Sequence, residues 1–448
     1  MFTKITLNNF RSFDHIEFDL TTTNNSPKHL ALVYGENGIG KSNLMSSFVL
    51  LDELLNTLNV RDVYEEMIKQ KAIFADEKYE QFLRKHLSAN LRDMQAIIDD
   101  CRMIGNFAPI SAEYEFLIGN NLGKYYIELG DNEILHERLE FVLTKRRGTY
   151  FDCKKDSIVI NSNIINDKDF LSDIKASAKR FWGKHSLLAI ICYEIYDKSS
   201  SFGFENISEN FHDVLTEFTM ISCSLGMGSR HWSQLISPLQ ILESPIKGNI
   251  SKENEKQLDF AEKTFSHLFS SINPNIKKVY YDKSYNGSII DYYLYFTKHI
   301  AQQDRNIPFS KESTGTHQLL KTFCYILCAC MGGIVIIDEA DAGIHDVLFK
   351  QLILEVQPFL EGQLILTVHN TLLMEADFAR DTVYILDEDE CDSKKIQSIS
   401  SYSKRTYQNN NIRNKYLNNE YGGIPENVLN LSSIIDNLDK HLKNNLYS

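Results

Sequence analysis

The stretch Tyr34-Gly35-Glu36-Asn37-Gly38-Ile39-Gly40-Lys41-Ser42 constrains this chain more than any other, because it fits G-x-x-x-x-G-K-S/T in the context that pattern requires. Leu30-Ala31-Leu32-Val33-Tyr34 is a short apolar run that reads as a buried strand. Leu44, Phe48, Leu51, Leu55 and Leu58 then recur at three- and four-residue steps, one face of a helix starting near Lys41. Strand, glycine-rich turn and helix together make a triphosphate cradle. The glycines let successive N–H groups turn inward, the helix N-terminus adds partial positive charge, Lys41 reaches the β- and γ-phosphates, and Ser42 can hold Mg²⁺. Gly35, Asn37, Gly38, Gly40, Lys41 and Ser42 are the expected nucleotide-binding residues, with a nucleoside triphosphate and Mg²⁺ as their ligands.

A P-loop hydrolyses little unaided, so a metal-side acid and a water-positioning group are expected elsewhere. Ile334-Val335-Ile336-Ile337 is an aliphatic strand running into Asp338-Glu339, where Asp338 can complete the Mg²⁺ shell and Glu339 can orient or deprotonate water. A second such strand, Leu364 to Val368, ends in His369-Asn370; His369 can sense the γ-phosphate or be a satisfied core histidine. Lys311 to Lys321 is a small-residue segment opening an apolar helix that runs to Met331, and its N-terminal amides are free for an anion. Arg11 lies in a loop joining two N-terminal strands, Phe2 to Leu7 and His15 to Leu20, and reads either as a solvated loop arginine or as a phosphate contact beside the P-loop.

At 448 residues the chain is one large elaborated domain or two. Sixty acidic against 47 basic residues, a net charge of −13, give no global attraction to nucleic acid. Eight cysteines at irregular spacings without a C-x-x-C pair read as reduced, mostly buried thiols of a cytosolic protein. No apolar run approaches about 18 residues and the N-terminus enters a strand pattern at once, so neither a membrane span nor a secretory signal is expected.

The hydrophobic period divides the chain into segments: 1–58 with the P-loop, a helical insertion at 59–110, an antiparallel meander at 111–162, a helical lobe at 163–272, a second ATPase half at 273–390 and a tail at 391–448. A hairpin is expected at Ile276 to Phe296, turned at Tyr285-Asn286-Gly287. Lys145-Arg146-Arg147, the densest basic run, reads as a solvated turn or a nucleic-acid contact.

The P-loop, the Ser313-Thr314-Gly315 helix start directly before the strand ending in Asp338-Glu339, the following Ala340-Asp341-Ala342-Gly343-Ile344-His345 and the strand-end His369 together resemble the ABC-class ATPases of the RecF, SMC and OLD group. The opening Ile5 to Phe13, the meander's Ile134 to Leu139, and the tail's Arg413 to Leu417 and Tyr421 to Pro425 are similar to a prokaryotic branch of abortive-infection and restriction-linked ATPases, which includes the ATPase subunit of the PARIS anti-phage system.

The resemblance covers nearly the whole chain. It implies an α/β fold built on an ABC-type ATPase head, with a P-loop mixed sheet flanked by helices, an N-terminal antiparallel β lobe and helical insertions. It also implies a head-to-tail dimer or higher oligomer, in which Ser313, Gly315 and Thr316 of one protomer close on the ATP held by another. Where the common signature reads L-S-G-G-Q, this chain has Glu312-Ser313-Thr314-Gly315-Thr316-His317-Gln318, so Ser313 and Gly315 keep the donor positions while Thr314 and Thr316 depart. The glutamine of the Q-loop has no match.

Three functions follow as expectations. The first is a bacterial, cytoplasmic ATP-dependent sensor or scaffold of anti-phage abortive infection. After His369 only 79 residues remain, too few for the fused Toprim nuclease of OLD proteins, so a separate Toprim-type nuclease effector and a phage-encoded trigger are its expected partners. The second is a RecF-like DNA-repair ATPase acting directly on DNA, against which the acidic balance counts. A transporter motor is disfavoured by the roughly 270 residues between P-loop and signature.

Overall fold

In the computed structural model of the chain, residues 1–71, 92–197, 205–227, 230–389, 393–402 and 411–424 are described, with scattered positions between 431 and 441. Strands β1 (Phe2–Phe10) and β2 (Phe13–Asp19) pair antiparallel up to Phe10 and Phe13, so the expected loop over residues 8–13 shrinks to Arg11-Ser12. Left-handed backbone at Asn9 and Arg11 (φ 53° and 51°) makes that tight reversal possible. Strand β3 (Leu30–Tyr34) feeds the P-loop and helix α1 (Lys41–Lys71). This helix is continuous across the boundary expected at 58/59, because its buried stripe from Leu44 to Leu58 leaves no break at which a new unit could start. Helix α2 (Met94–Cys101) follows, its first turn capped by the Asp93 carboxylate on the Ala96 N–H. Residues 72–91 of the expected helical insertion lie outside the described residues.

Strands β4 (Ile110–Ile118), β5 (Asn121–Leu129), β6 (Ile134–Val142), β7 (Arg147–Lys154) and β8 (Ser157–Ile160) form the meander, which joins the N-terminal hairpin in one seven-stranded sheet ordered β2-β1-β4-β5-β6-β7-β8. Its side chains alternate between core and solvent. Lys145 and Arg146 stand exposed in the turn between β6 and β7, and Arg147 pairs with Glu140 at 2.8 Å. Glu137 on β6 is a carboxylate on the core face, in phase with Leu139 and Phe141: it is fully buried and accepts the N–H groups of Leu187 (2.6 Å) and Leu188 (3.4 Å), the Trp182 indole N–H (3.0 Å) and the Tyr125 hydroxyl (3.1 Å). A meander carboxylate thereby caps a helix of the next lobe.

That lobe holds helices α3 (Lys168–Phe181), α4 (Leu187–Asp197) and α5 (Glu209–Thr219). The helical reading fails after Thr219, where β9 (Ile221–Met227) and β10 (Arg230–Gln234) are strands. The cause is tertiary, since β9 lies parallel beside the strand that carries Asp338, with Ser224 opposite Ile337. Next come β11 (Lys247–Ser251), helix α6 (Glu255–Ile272), and β12 (Ile276–Asn286), β13 (Ile289–Ile300) and β14 (Gln303–Pro308), a small antiparallel sheet that contains the expected hairpin.

Helix α7 (Thr314–Cys330), β15 (Ile334–Ile337), helix α8 (Asp346–Val356), β16 (Gln363–Thr367), β17 (Val383–Glu388), β18 (Lys394–Ser398) and helix α9 (Ile412–Leu417) complete the described chain. The central sheet runs β10-β9-β15-β16-β3-β17-β18 and is parallel from β9 through β17.

Every residue of β3, β15 and β16 is buried, as parallel strands covered on both faces require. Their alternation divides two cores. Ala31, Val33, Ile334, Ile336 and Ile365 face α1 and the meander, whereas Leu30, Leu32, Tyr34, Val335, Ile337, Leu364 and Leu366 face α7, α8 and the small sheet. At about 1.5–3 kcal/mol per fully buried large aliphatic side chain, this two-sided burial fixes the register that brings the strand ends level. All seven described cysteines are free and six are buried. Among the described residues no helix is long and apolar enough to cross a membrane.

Candidate functional site

Three adjacent parallel strands, β15, β16 and β3, present their C-terminal ends side by side, the place where open α/β sheets bind ligands. From β3 the chain turns through Gly35 and Gly40. A Cβ on Gly35 would meet the Leu386 carbonyl at 2.5 Å, and Gly40 has φ 116° with Ser12 Oγ 2.9 Å from where its Cβ would stand. Neither position tolerates a side chain. Asn37 and Gly38 are exposed at the crest, and Ser42 is half-buried in the first turn of α1.

Lys41 is buried, and its ammonium donates to the carbonyls of Gly35 (2.7 Å) and Glu36 (2.9 Å). Burial lowers its pKa, while Asp338, Glu339, Asp341 and Glu36 pull it back up. Among the described residues this buried ammonium is hydrogen-bonded to carbonyls and to no carboxylate, so it can receive an anion and the residues fit a triphosphate. Asp338 and Ser42 supply the hard oxygen donors that Mg²⁺ takes.

At the end of β15 the Asp338 N–H bonds to Ser224 O at 2.8 Å, and Glu339, exposed, holds a left-handed backbone (φ 50°). Thr367 at the end of β16 donates its hydroxyl to Asp338 Oδ1 (2.5 Å) and accepts the Glu339 N–H (2.7 Å). Asp341, buried, accepts the N–H groups of His369 (2.8 Å) and Asn370 (2.6 Å) through Oδ2. Of the two readings offered for His369, a core histidine is excluded, because the residue is exposed. The Tyr34 hydroxyl donates to Asn370 O at 2.9 Å and so ties the P-loop strand to the same turn.

Ser313, exposed, caps α7 by accepting the Thr316 N–H at 3.2 Å. Gly315 presses on the loop after Glu339, where a Cβ would lie 2.7 Å from Gly343 O. Ser313, Gly315 and Thr316 border a concave patch with Lys298, Gly343 and His345. Among the described residues no hydrogen bond joins these three to the P-loop of the same chain.

Arg11 departs from both expectations. Its guanidinium is tied to Asp100 of α2 at 2.5 Å, and its backbone N–H bonds to Cys101 O. The P-loop is touched by the next two residues instead. Ser12 accepts the Asn43 side-chain N–H at 2.8 Å, and Phe13 packs against Gly40.

Thr367, Asp341 and the tail are the parts that sequence reasoning left without a role. Tyr416 of α9 meets the Tyr34 ring edge-on at 5.8 Å and donates to Gly423 O at 3.1 Å, and a Cβ on Gly423 would lie 3.3 Å from Gly35 Cα. Arg413 bonds to Thr371 and to Glu375, and Glu375 also receives Lys350 of α8. The tail thus braces the P-loop from behind. The sequence marked this tail only through its resemblance segments, Arg413 to Leu417 and Tyr421 to Pro425, while Tyr416 and Gly423 reach Tyr34 and Gly35 more than 350 residues away.

Residues 4–51 match a family model described as "AAA domain", and residues 226–375 match one described as "AAA domain, putative AbiEii toxin, Type IV TA system". The first segment contains the P-loop, and the second contains the signature segment, Asp338-Glu339 and His369. Fold, site and both matches define a P-loop ATPase core. No curated protein matches the chain.

Among solved structures, the chain is similar to an SMC head bound to the C-winged helix domain of ScpA, at 14% identity over 88% of this chain and 96% of that one, with a TM-score of 0.43. It is also similar to the SMC head domain from Thermotoga maritima, at 13% identity over 89% and 98% with a TM-score of 0.34. A third is the SMC head with an extended coiled coil bound to the C-terminal domain of ScpA derived from Pyrococcus furiosus, at 12% identity over 88% and 95% with a TM-score of 0.37.

Proposed function

We propose that this protein hydrolyses ATP at a site shared between two copies, and that it uses the cycle as the sensor or scaffold of an anti-phage defence system, holding and releasing a separate nuclease effector. The observation that carries the hydrolytic part is the convergence of Lys41, Asp338 and Glu339 at the ends of β3 and β15, with β16 between them. Lys41 and the amides of the P-loop hold the triphosphate, and Ser42 and Asp338 hold Mg²⁺, which supplies charge neutralisation on the phosphates when bound. Glu339 accepts the proton of the attacking water, and His369, exposed just after the end of β16, contacts the γ-phosphate.

The trans arrangement is supported by the signature segment, which caps its own helix with Ser313 outermost and makes no hydrogen bond to its own P-loop among the described residues. Defence is supported by the AbiEii-type description of the family matched over residues 226–375. A nuclease of the Toprim type and a phage-encoded trigger are the partners this reading expects.

The test is phage challenge of cells carrying the gene and its neighbours, with wild-type, Lys41→Ala and Glu339→Gln forms. Protection lost in Lys41→Ala is the expected result. Protection unaffected by both variants overturns the reading, and so does DNA binding by the purified ATPase alone with a steep salt slope, because that outcome makes it a DNA-repair enzyme.

A further inference from the structure

We infer that Thr367 is a positioning residue for the hydrolytic pair Asp338 and Glu339, an assignment that rests on the ATPase reading above. Thr367 is fully buried at the C-terminal end of β16, the strand between the one that carries the acids and the one that carries the P-loop. Its hydroxyl donates to Asp338 Oδ1 at 2.5 Å and accepts the N–H of Glu339 at 2.7 Å. A hydroxyl has one proton to give, so these two bonds together fix its rotor. The bond to Asp338 is a charge-assisted O–H···O⁻ contact, which sets how the carboxylate is turned and leaves its second oxygen for the metal side.

The grip on Glu339 is through the backbone. Glu339 sits in the left-handed region (φ 50°), an unusual conformation for a glutamate. Its own N–H goes to the Thr367 hydroxyl, and the next N–H, that of Ala340, goes to the Thr367 carbonyl at 3.0 Å. Two successive amides on one residue hold the turn in the conformation in which Glu339 stands exposed. Residue 367 therefore sets the geometry of both acids without touching the nucleotide. A purely architectural threonine would do something different, since its loss would lower stability and every function together.

Thr367→Val keeps the shape and removes both bonds. The expected result is a kcat lower by roughly 10- to 100-fold, the cost of misplaced catalytic groups, with affinity for a fluorescent ATP analogue measured without metal within about twofold of wild type. Thr367→Ser, which retains the hydroxyl, restores kcat to within about threefold. A readout independent of turnover is amide exchange in the nucleotide-free protein, where the peptide spanning 338–340 exchanges about tenfold faster in Thr367→Val. If the valine form does not fold, Thr367→Cys, a weak donor and acceptor, is expected to shift kcat and exchange in the same directions.

In a Glu339→Gln background the valine change lowers the residual rate by a smaller factor than in the wild-type background, because one of the two groups it positions is already gone and only the hold on Asp338 is left to lose. A Thr367→Val protein with wild-type kcat, or a serine form no better than the valine one, overturns the proposal. So does a loss of nucleotide affinity as large as the loss of kcat. If Glu339→Gln itself turns over at the wild-type rate, the ATPase reading fails with it, whereas an inactive Glu339→Gln beside a fully active Thr367→Val sinks only the role of Thr367.

Discussion

The carboxylate of Asp341 accepts the backbone N–H of His369 at 2.8 Å, so the turn that follows the acidic strand and the turn that carries the exposed histidine are held as one unit. The same oxygen takes the Asn370 N–H at 2.6 Å. Asp341→Ala leaves one buried donor, the Asn370 N–H, and one part-buried donor, the His369 N–H, without an acceptor, a loss of about 1–3 kcal/mol in stability, read as a lowered denaturant midpoint. An unchanged midpoint would show that water replaces the carboxylate at no cost.

Lys41→Ala removes the only cation facing the P-loop carbonyls among the described residues. ATP affinity should fall by at least about 100-fold, equivalent to losing a charge-assisted contact of nearly 3 kcal/mol. The lysine packs into neither hydrophobic core, so far-UV circular dichroism should be unchanged. Undiminished nucleotide affinity in a folded variant refutes the cradle.

Glu339→Gln keeps the size of the side chain and removes the base. Hydrolysis should drop by roughly 10²- to 10⁴-fold while ATP still binds, so nucleotide accumulates in an associated state detectable by light scattering. Near wild-type turnover would move the catalytic role to another group.

Mixing Lys41→Ala protein with Ser313→Arg protein, each inactive alone, tests the shared site. In a mixed head-to-tail dimer both lesions fall on one composite site and the other is intact, so partial ATPase activity should return. If labelled subunits demonstrably exchange and activity stays absent, either the site does not form across protomers or the two sites fire only together. A titration of single-lesion protein into wild type separates these, since coupled sites make the lesion dominant.

Burial pushes the Glu137 carboxyl up to about 7, against the hydrogen bonds it accepts from Leu187, Trp182, Tyr125 and Leu188. A folded pKa above the unfolded value contributes stability that is present below about 4.5 and is lost as pH rises through about 7. Compared with Glu137→Gln, the wild-type protein should therefore lose up to about 3 kcal/mol of its relative stability between those limits. Thermal melts of both proteins at pH 5 and pH 8 measure this, and a pH-independent difference would mean that the four donors keep the carboxylate ionised throughout.

Local chemistry made much of this protein legible in its sequence. The strand Leu30–Tyr34, the glycine turn and the helix from Lys41 stand where the pattern put them, because each is specified by neighbouring residues: a fully apolar run, glycines at positions without room for a side chain, and a 3.6-residue stripe. The strand running into Asp338-Glu339, the strand ending before His369 and the helix start at Ser313 were readable for the same reason.

Tertiary structure alone decided what those parts touch. The segment from Ile221 read as helix, yet it is a strand, because pairing beside β15 outweighs its local preference. Arg11 looked free to meet a phosphate, but a helix some ninety residues later supplies Asp100. The roles of Thr367, Asp341 and Glu137 were not legible, even where Asp341 and Glu137 fell in recognised segments, since a threonine or a carboxylate acquires its role only when a distant donor or acceptor is brought within hydrogen-bond reach. Periodicity and propensity act over a few residues and therefore show in sequence. Hydrogen bonds across strand ends act over a few ångströms and exist only once the sheet has set its order.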